Sequence, residues 1–130
     1  MRMSIAVRLA LVVAAAILIA ACQGTALGFD RPPAPLDPGS PTISAINIAF
    51  DRSEVAVPAG EAFTLVFENR EAVSHNVSIY ADLSLRDRKF EGVLFAGPAT
   101  RWYPVPVLAA GTYVFQCDLH PMMAGRIVAS

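Results

Sequence analysis

The chain has 130 residues with ten basic and eleven acidic side chains, and 55% of its residues are hydrophobic. This balance allows one compact domain and excludes wholesale disorder, which requires few apolar residues and a high net charge. Nothing in it indicates nucleic-acid binding, because no basic patch is larger than Arg86-Asp87-Arg88-Lys89.

The first element in chain order is an apolar run over residues 9–21, preceded by Arg2 and Arg8. About 13 apolar residues are too few to span a bilayer comfortably and match the core of a signal peptide. The run closes on Leu18-Ile19-Ala20-Ala21-Cys22, which resembles the lipobox of bacterial lipoproteins. We therefore expect residues 1–21 to be a lipoprotein signal peptide and Cys22 to carry the lipid. The open alternatives are an ordinary secretory signal that contains a cysteine and an uncleaved anchor.

The mature chain would begin at Cys22 and would keep eight basic against eleven acidic residues, a formal charge of −3. Acyl chains on that cysteine would hold the protein at a membrane, with its domain in the periplasm or at the cell surface. Residues 22–41 contain five prolines and three glycines, a composition that favours extended chain over a buried core. They are predicted to form a tether with a reach on the order of 60 Å.

From residue 42 onward the sequence predicts strands. Apolar side chains alternate with others over residues 46–50, 63–68 and 111–117, and turn residues such as Pro58-Ala59-Gly60 separate the runs. Further strands are expected at 55–57, 75–80, 93–95, 102–105 and 125–128, which makes about eight. Residues 81–88 are expected to form a helical turn or an irregular loop. Short, regularly spaced strands of this kind predict an all-β, antiparallel sandwich over residues 42–130.

The segment that carries chemistry is Cys117-Asp118-Leu119-His120-Pro121-Met122-Met123, which places a thiolate, an imidazole and a thioether within seven residues. Soft sulfur ligands combined with imidazole suit copper that cycles between Cu(I) and Cu(II). Such a site needs a second imidazole, and the only other histidine of the chain is His75. The sequence therefore predicts one copper ion with the ligands His75, Cys117, His120 and Met123.

Each ligand has a structural alternative. A single buried cysteine is usually a small hydrophobe, and a single histidine is more often a surface or core residue than a ligand. Met122 competes with Met123 for the fourth position, although the Met-x-Gly spacing favours Met123. A disulfide between the two cysteines is not expected, because Cys22 ends the signal and Cys117 lies among metal donors.

The pattern Gly-x-Tyr-x-Phe-x-Cys-x-x-His-Pro-x-Met-x-Gly over residues 111–125, preceded by Ser74-His75-Asn76-Val77, resembles the cupredoxin family of plastocyanin- and amicyanin-like blue copper proteins. The resemblance covers residues 43–130 and implies a Greek-key β-sandwich, one copper ion and outer-sphere electron transfer. It implies a trigonal plane of His75, Cys117 and His120 with Met123 as the long axial ligand. It also implies that Asn76 joins the His75 strand to the cysteine loop by a hydrogen bond.

Pro121 and Met122 flank His120 and are expected to form a small apolar contact surface for redox partner proteins. Gly125 is expected to let the chain enter the last strand without strain.

The sequence distinguishes between several possible functions. Electron transfer is favoured over copper delivery to a cuproenzyme such as an oxidase, because the sequence has no methionine-rich or histidine-rich tract. An enzyme is not expected, since the chain lacks the histidines for a second copper site. Zinc is a weak rival because structural zinc sites rarely use methionine, and a metal-free binding module conflicts with the complete ligand set. The expected protein is a monomeric one-electron carrier that is exported and lipid-anchored.

Overall fold

The structure of the protein is a computed structural model that describes residues 26–32 and 36–130. The predicted signal peptide and Cys22 lie outside the described residues. Across the described ranges, no helix is long and apolar enough to cross a membrane. The strands are β1 (Thr42–Ile46), β2 (Ala49–Phe50), β3 (Glu54–Val57), β4 (Phe63–Asn69), β5 (Ser78–Tyr80), β6 (Arg88–Glu91), β7 (Ala99–Val105), β8 (Gly111–Gln116) and β9 (Ala124–Ala129).

The strands form a four-stranded sheet in the order β2-β1-β4-β7 and a five-stranded sheet in the order β3-β9-β8-β5-β6. The chain passes repeatedly from one sheet to the other, which confirms the predicted β-sandwich. The sheets are mixed, however, because β1 runs parallel to β4 and β3 runs parallel to β9. Both parallel pairs join strands that lie far apart in the chain, as a parallel pairing requires.

Two predicted strands are shorter in the structure than expected, and one observed strand was not predicted. Of residues 75–80 only Ser78–Tyr80 is a strand, and residues 93–95 contribute only an isolated bridge between Phe95 and His75. The strand β6 was not predicted, since it begins where a loop was expected. It lies at the edge of its sheet and carries three charged residues, so it lacks the apolar alternation that marks an interior strand.

The core lies between the two sheets and follows the alternation of the sequence. In β4 the side chains of Leu65 and Phe67 are fully buried, and the ring of Phe67 stacks on Tyr103 of β7 with centroids 5.8 Å apart. Burial of each such side chain stabilises the fold by about 1.5–3 kcal/mol.

Gly125 has a different role from the one expected. It pairs with Phe115, whose ring occupies the space that a Cβ atom at position 125 would need.

Part of the segment predicted as a tether lies on the sandwich. Residues 27–30, called the strap below, exchange backbone hydrogen bonds with both sheets. Leu27 donates to Glu91 O and accepts from Val93, while Phe29 and Trp102 exchange two bonds of 3.0 and 3.2 Å. Asp30 pairs with Arg101 at 3.0 Å. The strap therefore joins an end of β6 to the outer edge of β7.

Candidate metal centre

His75 lies in the connection between β4 and β5 and is fully buried. Its backbone N–H and C=O exchange hydrogen bonds with Phe95, each 3.2 Å long. The amide of Asn69, the last residue of β4, donates to Val73 O at 2.8 Å and to Phe95 O at 2.9 Å. These bonds fix the backbone on both sides of the imidazole, so the ring has little freedom to move.

Cys117 follows β8 directly and begins a tight loop that ends at Met123. Three backbone hydrogen bonds close this loop: His120 N–H to Cys117 O, Met123 N–H to His120 O, and Cys117 N–H to Met123 O, at 3.2, 2.8 and 3.0 Å. Cys117 is fully buried and Met123 is 2% exposed, whereas Met122 is 98% exposed. The loop thus turns one of the two neighbouring methionines into the protein beside Cys117 and the other into solvent.

The three nitrogen and sulfur donors meet inside the protein. The Sγ atom of Cys117 lies 3.7 Å from Nδ1 of His75 and 3.6 Å from Nδ1 of His120. Among the described residues these three form the group of His, Cys, Asp or Glu side chains that could hold a metal ion, with all ligand atoms within 4.8 Å of one another.

The separations fit a single small cation. Nitrogen and sulfur atoms about 2.1 and 2.3 Å from one divalent ion, at angles of about 110–120°, lie about 3.6–3.8 Å apart. Both His–Cys distances fall in this range without any shift of the side chains. Two imidazoles and a thiolate are soft to borderline donors, so the set fits copper.

His75 is oriented by an acidic side chain that sequence analysis did not identify. Its Nε2 atom lies 2.7 Å from Oε1 of Glu71. An ionised carboxylate can only accept, so Nε2 carries the proton and the lone pair of Nδ1 faces the sulfur of Cys117. The backbone N–H of Ile48 also donates to Glu71, at 2.9 Å, and lowers the pKa of Glu71 below its ordinary value, with a further contribution from His75.

Asn76 connects the His75 segment to the residue after Cys117. Its side-chain oxygen accepts from the backbone N–H of Asp118 at 2.9 Å, and its amide donates to the Asp118 carboxylate at 2.7 Å. The same carboxylate accepts from Ser78 Oγ at 2.6 Å and from Tyr80 OH at 2.7 Å. Burial alone would raise the pKa of Asp118, but the donors outweigh it and the pKa lies below the ordinary value.

Two carboxylates that sequence analysis did not identify stand close to predicted ligands in the chain. Glu71 precedes His75 by four positions, and Asp118 stands next to the predicted thiolate ligand. Neither spacing distinguishes a supporting carboxylate from a solvent-exposed one. Ser78 and Tyr80 carry no sequence signal at all, since they meet Asp118 only because β5 pairs with β8.

The ring of His120 is less buried than that of His75, and the two rings lie 4.7 Å apart between centroids. Beside His120 the chain exposes apolar side chains: Leu119 is 54% exposed, and Pro121 and Met122 are also exposed. This side of the donor cluster is therefore the one that faces the protein surface.

The amino-acid sequence and the fold were compared with those of known proteins. A family model for the cupredoxin-like domain matches residues 10–129. The chain belongs to the cupredoxin-like family, as its sequence pattern indicated.

Two curated relatives and one solved structure describe the likeness further. The chain is 33% identical to amicyanin-alpha of Methylorubrum extorquens over 90 residues, which cover 69% of this chain and 71% of that protein. It is 28% identical to auracyanin-A of Chloroflexus aurantiacus, with 94% of each protein covered. The solved structure of auracyanin A from Chloroflexus aurantiacus, described as a blue copper protein, has a TM-score of 0.63 at 24% identity and covers 70% of this chain and 98% of that one. At that identity, the likeness to the solved structure supports the fold alone.

Proposed function

We propose that the protein binds one copper ion and carries single electrons between partner proteins. His75, Cys117 and His120 would supply the three strong ligands, and Met123 the fourth, weaker one. The observation that carries the proposal is the approach of two imidazole Nδ1 atoms to within 3.7 and 3.6 Å of one buried thiol. Bound copper would supply the change between Cu(II) and Cu(I), and the chain would hold the same ligand geometry in both states.

Burial of the donors supports electron transfer over copper delivery. Cys117 and His75 are fully buried, and backbone bonds hold both residues on either side. Release of copper to an acceptor protein would require these residues to become accessible. An electron needs no such opening, because it can pass through the more exposed ring of His120. Membership of the family that includes amicyanin and auracyanin supports a carrier rather than an enzyme.

The test is copper loading of the purified protein, followed by absorption and electron spin resonance spectroscopy. We expect one copper per chain and an intense visible band from charge transfer between the thiolate and Cu(II). Cys117→Ser should abolish the band. Cys22→Ser is the matched control, because it replaces the other cysteine of the chain and should leave the band unchanged. A wild-type protein without the band, or a Cys117→Ser variant that keeps it, would contradict the proposal.

We further propose that the protein is exported and anchored through a lipid on Cys22, with the domain in the periplasm or at the cell surface. The support is the apolar run over residues 9–21 and the lipobox-like residues before Cys22. Five residue steps from Cys22 to Leu27 span at most about 18 Å, so the lipid would keep the strap close to the membrane. Mass spectrometry of the mature N-terminus tests this, and recovery of unacylated protein in the soluble fraction would refute it.

A further inference from the structure

The carboxylate of Asp118 is unusual for its position. It belongs to the residue that follows the buried thiol of Cys117, and it is held by three side-chain donors at 2.6–2.7 Å, from Ser78, Asn76 and Tyr80. A carboxylate that accepts from an amide and two hydroxyl groups can do so without a proton of its own. The arrangement therefore stabilises the negatively charged form.

Among residues 26–32 and 36–130, the carboxylate of Asp118 forms no direct ion pair. In the part of the chain that the structure describes, no Lys, Arg or His nitrogen lies within 4.0 Å of this carboxylate. Arg88 is a nearby cation that helps to lower the pKa of Asp118, but its guanidinium pairs with Glu91 at 2.9 Å, so its own charge is partly neutralised. Hydroxyl and amide donors delocalise the charge of a carboxylate without cancelling it.

The charge lies close to the donor cluster. Consecutive Cα atoms are about 3.8 Å apart, so the carboxylate of Asp118 is within about 10 Å of the Cys117 sulfur. That separation is comparable to the screening length at physiological salt, about 8 Å, and part of the path is through protein rather than water. The cluster therefore experiences the field of Asp118.

We propose that Asp118 acts as a fixed negative charge that favours the oxidised state of the copper centre and so lowers its reduction potential. The inference rests on the proposed function, because it concerns the ion held by His75, Cys117 and His120. One-electron reduction removes one positive charge from the centre. A nearby anion stabilises the state with the larger positive charge, so it opposes that reduction.

The size of the effect follows from Coulomb's law. One unit charge at a separation of about 9 Å, with an effective dielectric constant between about 20 and 80, changes the equilibrium by about 2- to 20-fold. Asp118→Asn keeps the size of the side chain and one of its two accepting oxygens, but removes the charge. At a fixed ambient potential, the ratio of reduced to oxidised copper should therefore rise by about 2- to 20-fold.

The competing explanation is that Asp118 only holds the loop in place. Ser78→Ala and Tyr80→Phe distinguish the two, since each removes one hydrogen bond to the carboxylate and leaves its charge. If charge acts, neither variant raises the proportion of reduced copper. If position acts, they shift the ratio in the same direction as Asp118→Asn.

Glu61→Gln is the matched control for charge. Glu61 lies just before β4, at the opposite end of the strand from the connection that carries His75. A seven-residue strand is about 20 Å long, so loss of this distant charge should leave the ratio unchanged.

The experiment is spectroelectrochemical titration of the copper-loaded full-length protein and its variants. The visible band is recorded first, and its absence from the wild type would refute the proposed copper site rather than the role of Asp118. With the band present, a raised ratio for Asp118→Asn alone supports the inference. An unchanged ratio for Asp118→Asn, or an equal rise for Tyr80→Phe, overturns it. If Asp118→Asn does not fold, Asp118→Ser provides the same loss of charge with a smaller side chain, and the same criteria apply.

Discussion

The Oε1 atom of Glu71 accepts two hydrogen bonds at once, from Nε2 of the buried His75 at 2.7 Å and from the backbone N–H of Ile48 at 2.9 Å. Ile48 has a φ of 54°, a left-handed conformation that is rare for a β-branched residue. Strain of this kind costs on the order of 1–3 kcal/mol and persists only where surrounding contacts enforce it. Glu71 therefore connects the strained turn between β1 and β2 to the orientation of His75, a proposed ligand.

Glu71→Ala should weaken copper binding by about 10- to 100-fold, the usual effect of removing a hydrogen-bond partner of a ligating histidine. Glu71→Gln should lose less, because the amide oxygen can still accept from Nε2 of His75. Competition with a chelator of known affinity measures both variants, and Glu61→Ala serves as a control at the far end of the sandwich. Equal affinities for Glu71→Ala and the wild type would show that backbone contacts alone orient the ring.

The roles of the two adjacent methionines can be separated by stability and by potential. Met123 is 2% exposed, so Met123→Ala should destabilise the copper-free protein by about 2–5 kcal/mol. Met122→Ala should change the free energy of unfolding by no more than about 0.5 kcal/mol, since its side chain is in solvent. Denaturant unfolding measures both.

The same pair tests the axial ligand. A thioether favours Cu(I) more than an amide oxygen does, so Met123→Gln should lower the reduction potential and Met122→Gln should change it little. Voltammetry that gives the reverse pattern would transfer the ligand role to Met122.

The sequence sufficed for the β-sandwich and for candidate donors because both depend on local patterns. Alternation in β4 marks the buried face, and the spacing of Cys117, His120 and Met123 within one loop marks a candidate site. The contribution of His75 could be proposed because the chain has only one other histidine and because Ser74-His75-Asn76-Val77 matches the family pattern.

The supporting contacts could not be predicted in the same way. Asp118 meets Tyr80 because β5 and β8 are neighbours, a pairing between residues 38 positions apart. The need for glycine at position 125 likewise comes from the ring of Phe115 on the adjacent strand, not from the turn before it. Such contacts follow from strand order, which composition and periodicity do not encode.

The strap was missed because its composition is that of a tether, and its attachment can be tested directly. A side chain at Gly28 would meet Val93 Cγ1 at 2.6 Å and the ring of Tyr103 at 3.0 Å. Gly28→Val should therefore displace the strap and free the backbone N–H of Trp102, which donates to Phe29 O.

Hydrogen exchange followed by NMR measures this effect. In Gly28→Val the amide of Trp102 should exchange markedly faster than in the wild type. The amide of Val105 is the internal control, because it lies three positions further along β7 and points to β4 rather than to the strap. Unchanged protection of Trp102 would mean that the strap contributes nothing to the edge of β7.

The last prediction concerns the surface through which electrons would leave. Redox encounters use small contacts, and the exposed side chains of Leu119, Pro121 and Met122 beside His120 offer such an apolar surface. A charge placed there must be desolvated whenever a partner docks. Met122→Lys should therefore slow electron exchange with a partner protein by about tenfold, which corresponds to about 1.4 kcal/mol. The copper spectrum and potential should stay nearly unchanged, because a charge at this 98% exposed position is screened by water and salt, unlike the charge of the partly buried Asp118.

Leu83→Lys is the control, since Leu83 is also an apolar side chain and is 84% exposed. It lies in the connection between β5 and β6 rather than in the loop from Cys117 to Met123. Stopped-flow mixing of reduced protein with an oxidised partner measures the rates of both variants. Slower exchange for Met122→Lys alone assigns the docking surface to the loop from Cys117 to Met123. Equal rates for the wild type and Met122→Lys would remove this surface from the mechanism, and net transfer of copper to the acceptor would favour the delivery function instead.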